Sequence, residues 1–415
     1  MPQRPLIALA DPEWIGHRET YFREFVLSLD RLGAEVIALC PKPAKLEPLP
    51  LKTRLHGEIF TEPTRPSFVQ RFPQDPITTR LRWRRLGEAL RKAEQRAGRP
   101  ADFLFLPWLD SFLRASLHEK LALAGFTTPW AGLYFRPYHL VDEHQKLQRP
   151  SVLQAAAKGD ALLRSKNCRA VATLDETVRP ALEEISGKPV IMFPDITDET
   201  APDRDTPFAK KIREKAQGRK VIGLIGMEPR KGVITMLKAA DVARRQGQPW
   251  LFVLGGSSCL PLYSDQEKQF IQDHIARSRD EAGASNVLFP DEFSPIPDGS
   301  AFNGVMDSFD ALFVAYHDFR GSSNVLTKSS ILKKPVVSTD LGCIAHRTKS
   351  YDLGLAIPQG DADACCNAIQ RVFNGVNWNG DPLHPRLGEY HASHSRAALD
   401  QSMTQIIGLI GKGDA

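Results

Sequence analysis

The sequence predicts an α/β protein built from two Rossmann-like domains, each a parallel sheet covered by helices. Three observations predict it. Short apolar runs alternate with segments of helical periodicity along most of the chain, the pattern of strands buried on both faces between crossover helices. The pattern breaks at a polar, charged stretch, DITDETAPDRDTPFAKKIREKAQGRK, and then restarts. Finally, 415 residues exceed what one core ordinarily serves.

The elements follow in order. PLIALA is the first strand, DPEWIGHRE a loop, and Tyr21, Phe25, Leu29 and Leu32 recur at helical spacing until Gly33 stops the helix; EVIALC is the next strand. DFLFL, WAGLYF, RAVATL and PVIMF continue the first sheet. After the polar stretch, KVIGLIG is a strand, MEPRKG a loop, and Val233, Leu237 and Ala240 mark a helix closed by Gly247. PWLFVLGG, NVLF, ALFVAY, KPVVST and GLAIP complete the second sheet. The boundary falls near 200–218, giving domains 1–205 and 206–389, with the terminal helix of about 390–415 returning to the first. In open parallel sheets ligands bind at the carboxyl ends of the strands. Two such domains facing each other would line a cleft with the loops Asp11–Glu19, Met227–Gly232, Gly255–Cys259 and His317–Asn324.

Composition excludes several classes. It is ordinary for a globular protein, at 42% hydrophobic and 25% charged residues. A net charge of +5 gives no reason to expect a nucleic-acid partner. The six cysteines are scattered without metal-ligand spacing, which fits a reducing, cytoplasmic location. PLIALA is cut short by DPEW and no other run approaches spanning length.

The stretch FRGSSNVLTKSSILKKPVV carries the strongest chemical signal. A Gly321-Ser322-Ser323-Asn324 turn opens a helix, and free N–H groups at such an end, aligned with the helix dipole, collect anions. Arg320 stands just before the turn and Lys328 within the helix. Arg grips two phosphate oxygens at once; either side chain can equally be a solvated helix-end charge.

With these landmarks in order, residues 215–375 resemble the donor domain of glycosyltransferases of the B fold, in particular the large retaining family that uses nucleotide-sugar donors. The resemblance rests on Lys231-Gly232 before a helix, the Gly255-Gly256 pair after a strand, the Pro-Val-Val strand followed by Gly342, and Gly354-Leu-Ala-Ile-Pro with an acidic cluster. The first half fits the acceptor domain more loosely, through WIGHRETYFREFVLSLDRLGAEVIALC. The resemblance implies a glycosyltransferase B fold, a nucleotide-diphosphate sugar as donor substrate, no other cofactor, and transfer to an acceptor of unknown kind: a glycan, a lipid-linked group or a small molecule. The family carries a Glu, seven residues, then a second Glu, contacting donor sugar and ribose; here Arg320 and Lys328 stand at those places. The family's diphosphate-binding Arg falls near Met227, whereas Lys231 remains.

Departure of the diphosphate is the costly event, so fixed positive charge and N–H groups aimed at it stabilise the transition state. That assigns Arg320, Lys231 and the turn Gly321–Asn324 to the phosphates, with Gly226, Arg230, Gly255, Gly256 and Lys328 around the donor and Gly16 in the first loop. His17 is the candidate base, histidine being the side-chain type that exchanges protons near neutral pH; Asp11 and Glu13 are rivals in the same loop, and His139 and Arg136 follow another first-domain strand. No metal ligands are expected, since DRD at 203–205 lies in the linker and DAD at 361–363 opens a helix; helix dipoles and basic side chains take the metal's place. Residues 78–99 set Leu86, Leu90, Ala93 and Ala97 on one helical face among eight basic residues. That helix is the expected place for any peripheral membrane contact, or a core helix with a solvated basic side. The competing functional readings are a non-catalytic binding protein or partner subunit with a degenerate site, favoured by the two charge reversals, and an epimerase acting on the donor alone.

Overall fold

The computed structural model describes residues 3–15, 17–62, 76–113, 116, 119–123, 125–142, 146–279 and 285–411. The chain divides into two units, Met1–Ile196 with His394–Ala415, and Thr197–Ser393.

Unit 1 contains β1 (Leu6–Ala10), β2 (Glu35–Cys40), β3 (Leu55–Ile59), β4 (Phe103–Leu106), β5 (Trp130–Leu133), β6 (Cys168–Thr173) and β7 (Val190–Met192). They form one sheet in the order β3-β2-β1-β4-β5-β6-β7, parallel throughout. Unit 2 contains β8 (Lys220–Ile225), β9 (Trp250–Gly255), β10 (Val287–Leu288), β11 (Ala311–Val314), β12 (Val336–Thr339) and β13 (Gly354–Ile357), in the order β10-β9-β8-β11-β12-β13, again parallel. Each unit therefore winds outward from its first strand, then jumps back across it. The order reverses between β1 and β4 in unit 1 and between β8 and β11 in unit 2, the places where doubly wound sheets bind ligands.

The apolar runs become strands because both sheet faces are covered. β1 is buried at all five positions, with one apolar layer on each side of its sheet; unit 2 repeats this. β3 was not anticipated: its sequence, LHGEI, is polar because it is an edge strand, half-buried or exposed throughout. Within the polar stretch, Pro207 starts a helix, Pro207–Ala216, that buries Ala209 and Ile212, so that segment is structured and belongs to unit 2. The helix Pro76–Ala97 buries Leu86, Leu90 and Ala93 in the unit 1 core. Its apolar face is thus occupied within its own unit, and only the basic face is left for solvent. The terminal helix, Arg396–Ile407, places Leu399, Met403 and Ile406 in the unit 1 core. Among the described residues no helix is long and apolar enough to cross a membrane.

Candidate functional site

The loops after β8, β9, β11 and β12 meet at the carboxyl edge of the unit 2 sheet. Gly226, just past β8, donates its N–H to the carbonyl of Gly255, the last residue of β9, at 2.9 Å. Its φ of 105° is open to glycine but strained for other residues. A side chain there would meet the Lys231 stem and Glu228 Oε2 at 3.2 and 2.9 Å, so Lys231 and Glu228 lie over bare backbone. Gly256 packs against that same backbone.

Lys231 reaches from this loop to the next one. Its Nζ donates to Tyr316 Oη at 2.8 Å and sits 4.2 Å from the centre of the tyrosine ring. Tyr316 Oη in turn lies 3.2 Å from Ser323 Oγ. Ser323 occupies the N-cap position of the helix Asn324–Leu332, but its side chain does not cap that helix. A lysine, a phenol and a serine thus form one hydrogen-bonded line to the predicted anion turn. Ser322 is held from behind: Arg347, a buried residue of the helix Gly342–Ser350, donates Nη1 to Ser322 Oγ at 2.6 Å. Sequence reasoning missed Arg347, because nothing local distinguishes it from a surface helix arginine.

Arg320 is half-buried in this loop. Its carbonyl accepts from Cys343 N at 2.8 Å, and a Cβ on Gly342 would come within 2.2 Å of that carbonyl oxygen, so glycine at 342 is required for the two loops to touch. Arg230 is exposed, lies 5.4 Å from the Phe319 ring centre and 3.9 Å from Glu228 Oε1. Glu228 stands half-exposed on the loop after β8, with one carboxylate oxygen, Oε2, buried and without a hydrogen-bond partner among the described residues. His317 Nε2 pairs with Thr235 Oγ1 at 2.7 Å, and burial lowers its pKa below the usual histidine range.

Lys328 does not join this group. It is buried, and its ammonium donates to the Asp198 carbonyl and to Asn303 Oδ1, the latter at 2.6 Å. Asn303 Nδ2 donates to Thr200 O at 2.6 Å. Lys328 is therefore neither a solvated helix charge nor a group pointed at a donor; it fastens the segment that enters unit 2. Desolvation pushes its pKa down to about 8.

In unit 1, the loop after β1 carries Asp11, Glu13 and His17, while Gly16 lies outside the described residues. Arg18 is buried and binds Asp11 Oδ1 and Glu13 Oε2, both at 3.1 Å, and Ser111 Oγ at 2.7 Å. Its guanidinium lies 4.6 Å from the centre of Trp108, which follows β4. Asp11 is fully buried, with Oδ2 unpaired among the described residues. Burial outweighs Arg18 and raises its pKa to about 7. Asp11 thus shapes the loop, whereas His17, at the start of the helix Arg18–Arg31, is exposed. Arg136 is exposed, and His139 pairs with Asp160 at 2.8 Å.

Two doubly wound parallel-sheet units with this strand order define the glycosyltransferase B fold. The chain is similar over 98% of its length, and 98% of the other's, to sucrose-phosphate synthase from Thermosynechococcus elongatus, with a TM-score of 0.65 at 17% identity. It matches a UDP-forming trehalose-phosphate synthase from Burkholderia xenovorans over all of both chains (TM-score 0.63, 12% identity). A third similar structure is HepE from Anabaena in complex with UDP, with 98% of this chain and 100% of that one covered (TM-score 0.62, 13% identity). No protein-family model matches the chain, and no curated protein matches it by sequence.

Proposed function

We propose that this chain is a glycosyltransferase that moves a sugar from a nucleoside-diphosphate sugar to an acceptor hydroxyl. The observation that carries the reading is the line Lys231–Tyr316–Ser323, with Arg347 on Ser322, at the point where the unit 2 sheet reverses its strand order. The leaving diphosphate is held by the N–H groups of the turn Gly321–Asn324, by the Lys231 ammonium and by Arg320, which supply the charge a metal would otherwise provide. Lys231 keeps its ammonium poised on Tyr316 until the phosphate takes its place. Two of the similar structures, the UDP-forming trehalose-phosphate synthase and HepE in complex with UDP, are named with that nucleotide, which supports the donor class.

A thermal-shift panel of UDP, GDP, ADP, CMP and their sugars, run on the wild type, Arg320→Ala and Lys231→Ala with EDTA present, tests this. One diphosphate should raise the wild-type Tm, and each variant should lose most of that rise. No stabilisation by any of them rejects the donor assignment. A second reading, a binding protein without transfer activity, draws on Lys328: with its ammonium committed to Asp198 and Asn303, the position holds no ribose hydroxyl. Nucleotide-dependent stabilisation with neither transfer to an acceptor nor donor hydrolysis would favour it.

A further inference from the structure

The basic helix Pro76–Ala97 keeps its apolar face in the unit 1 core, but another segment of unit 1 turns apolar side chains to solvent. The helix Val152–Lys158 buries none of its residues. It is nonetheless built to hold its shape: Ser151 and Gln154 form a reciprocal capping box at its start, and Gly159, in the left-handed conformation, ends it. Val152 and Leu153 open this helix and are 82% and 80% exposed; Leu147, shortly before them, is 42% exposed. One exposed aliphatic is commonplace, whereas three within seven residues on a capped, solvent-facing segment mark a contact surface.

The surrounding charge selects the partner. Residues 146–159 contain Lys146, Arg149 and Lys158 and no acid, and all three basic residues are exposed. Arg164 and Lys166 follow and are exposed too. The nearby carboxylates are engaged: Glu184 pairs with Arg149 at 3.0 Å, Asp142 accepts from Lys146 N at 2.9 Å, and Asp160 is buried against His139. Lys158 lies about 9 Å along the helix from Val152, within the roughly 8–10 Å over which charges act at physiological salt. Lysine is depleted from protein interfaces. Aliphatic side chains flanked by lysines instead suit an anionic bilayer, where the apolar groups enter the headgroup–acyl boundary and the ammonium groups stay with the phosphates.

We propose that Leu147 and the first turn of the helix Val152–Lys158 form a docking tip for an anionic lipid bilayer, with Val152 and Leu153 inserted and Lys146 and Lys158 at headgroup level. The tip lies in unit 1 and does not depend on the donor assignment in unit 2, so either can fail alone.

The test is co-sedimentation of the full chain with vesicles of phosphatidylcholine, alone or with about one-quarter phosphatidylglycerol. The anionic vesicles should bind the wild type about tenfold or more tightly than the neutral ones, and raising salt from about 0.15 M to about 1 M should remove most of that difference. Val152→Ser combined with Leu153→Ser, at positions exposed enough to spare the fold, should weaken binding about tenfold or more. Lys146→Glu combined with Lys158→Glu should do the same. Arg85→Glu combined with Lys92→Glu, on the exposed side of the helix Pro76–Ala97, should bind as the wild type does. Leu153→Trp should show a blue-shifted emission on anionic vesicles, taken as the difference from wild type. No binding to anionic vesicles, equal binding to both kinds, binding unchanged in the serine variant, equal loss in the Arg85 and Lys92 variant, or an unshifted Leu153→Trp emission overturns the proposal. So does a wild-type dimer that the serine variant turns into a monomer without any vesicle binding, since a second copy would then own the tip.

Discussion

Lys328 and Arg347 exchange the roles their positions in the chain suggest. Lys328, on the helix that the anion turn opens, is spent on Asp198 and Asn303; Arg347, from a helix beyond the next strand, braces the turn through Ser322. Lys328→Met leaves the Asp198 carbonyl and Asn303 Oδ1 without their donor and should destabilise unit 2 by about 2 kcal/mol. Lys328→Glu sets a carboxylate against two oxygens and should cost more than about 3 kcal/mol. Urea unfolding measures both, and a stabilised Glu variant would show the position to be a ligand site after all. Arg347→Ala should remove the guanidinium hydrogen bond to Ser322 and weaken diphosphate binding about tenfold, or roughly 1.4 kcal/mol, as read by calorimetric titration. Neither role was legible in the sequence, because the partners lie 130 and 25 residues away and no local pattern marks them. The turn itself was legible, since Gly, Ser and Asn before a helix have a local reason to be there.

At the level of elements, the first strand-to-helix loop is organised around buried Arg18 and the carboxyl groups of Asp11 and Glu13. Asp11 keeps its proton up to about pH 7 in the folded protein, against about 3.9 in an unfolded chain. Between those values the unfolded state has released the proton and the folded state has not. The contribution is therefore full at low pH, shrinks as pH rises from about 4 to about 7, and is flat above. Asp11→Asn should erase that slope; subtracting its urea-denaturation free energies from those of wild type across pH 4–8 isolates it. A difference that grows with pH would mean that Arg18, not burial, controls the carboxyl. Most strands were legible because continuous apolar runs have few other uses in a parallel sheet. β3 was not, as an edge strand needs no apolar face pair, and neither was the helix Pro207–Ala216, hidden among charges that solvate its outer side.

For the whole molecule, the fold class could be read from the restart of the strand-helix alternation, since each restart needs its own sheet and covering helices. The terminal helix ties this scale to the others. Leu399, Met403 and Ile406 are fully buried, and Asp400 accepts from Ser28 and Arg31 at 2.5 and 2.7 Å. Burying three such side chains is worth roughly 5–9 kcal/mol, comparable to the net stability of a whole domain, about 5–15 kcal/mol. A chain ending at Ser393 should therefore show one calorimetric transition, that of unit 2, in place of two. Retention of both transitions would show the helix to be an accessory of unit 1.

Asp195 donates its N–H to His394 Nδ1 at 2.9 Å, so the chain leaves unit 1 and re-enters it at neighbouring points. On the ribosome this inverts the order of completion. The domain that begins first must wait, with part of its core uncovered, while all of unit 2 is synthesised; unit 2 begins second and is whole first. Birth of the protein is thus a holding period for unit 1, closed only when the helix Arg396–Ile407 emerges.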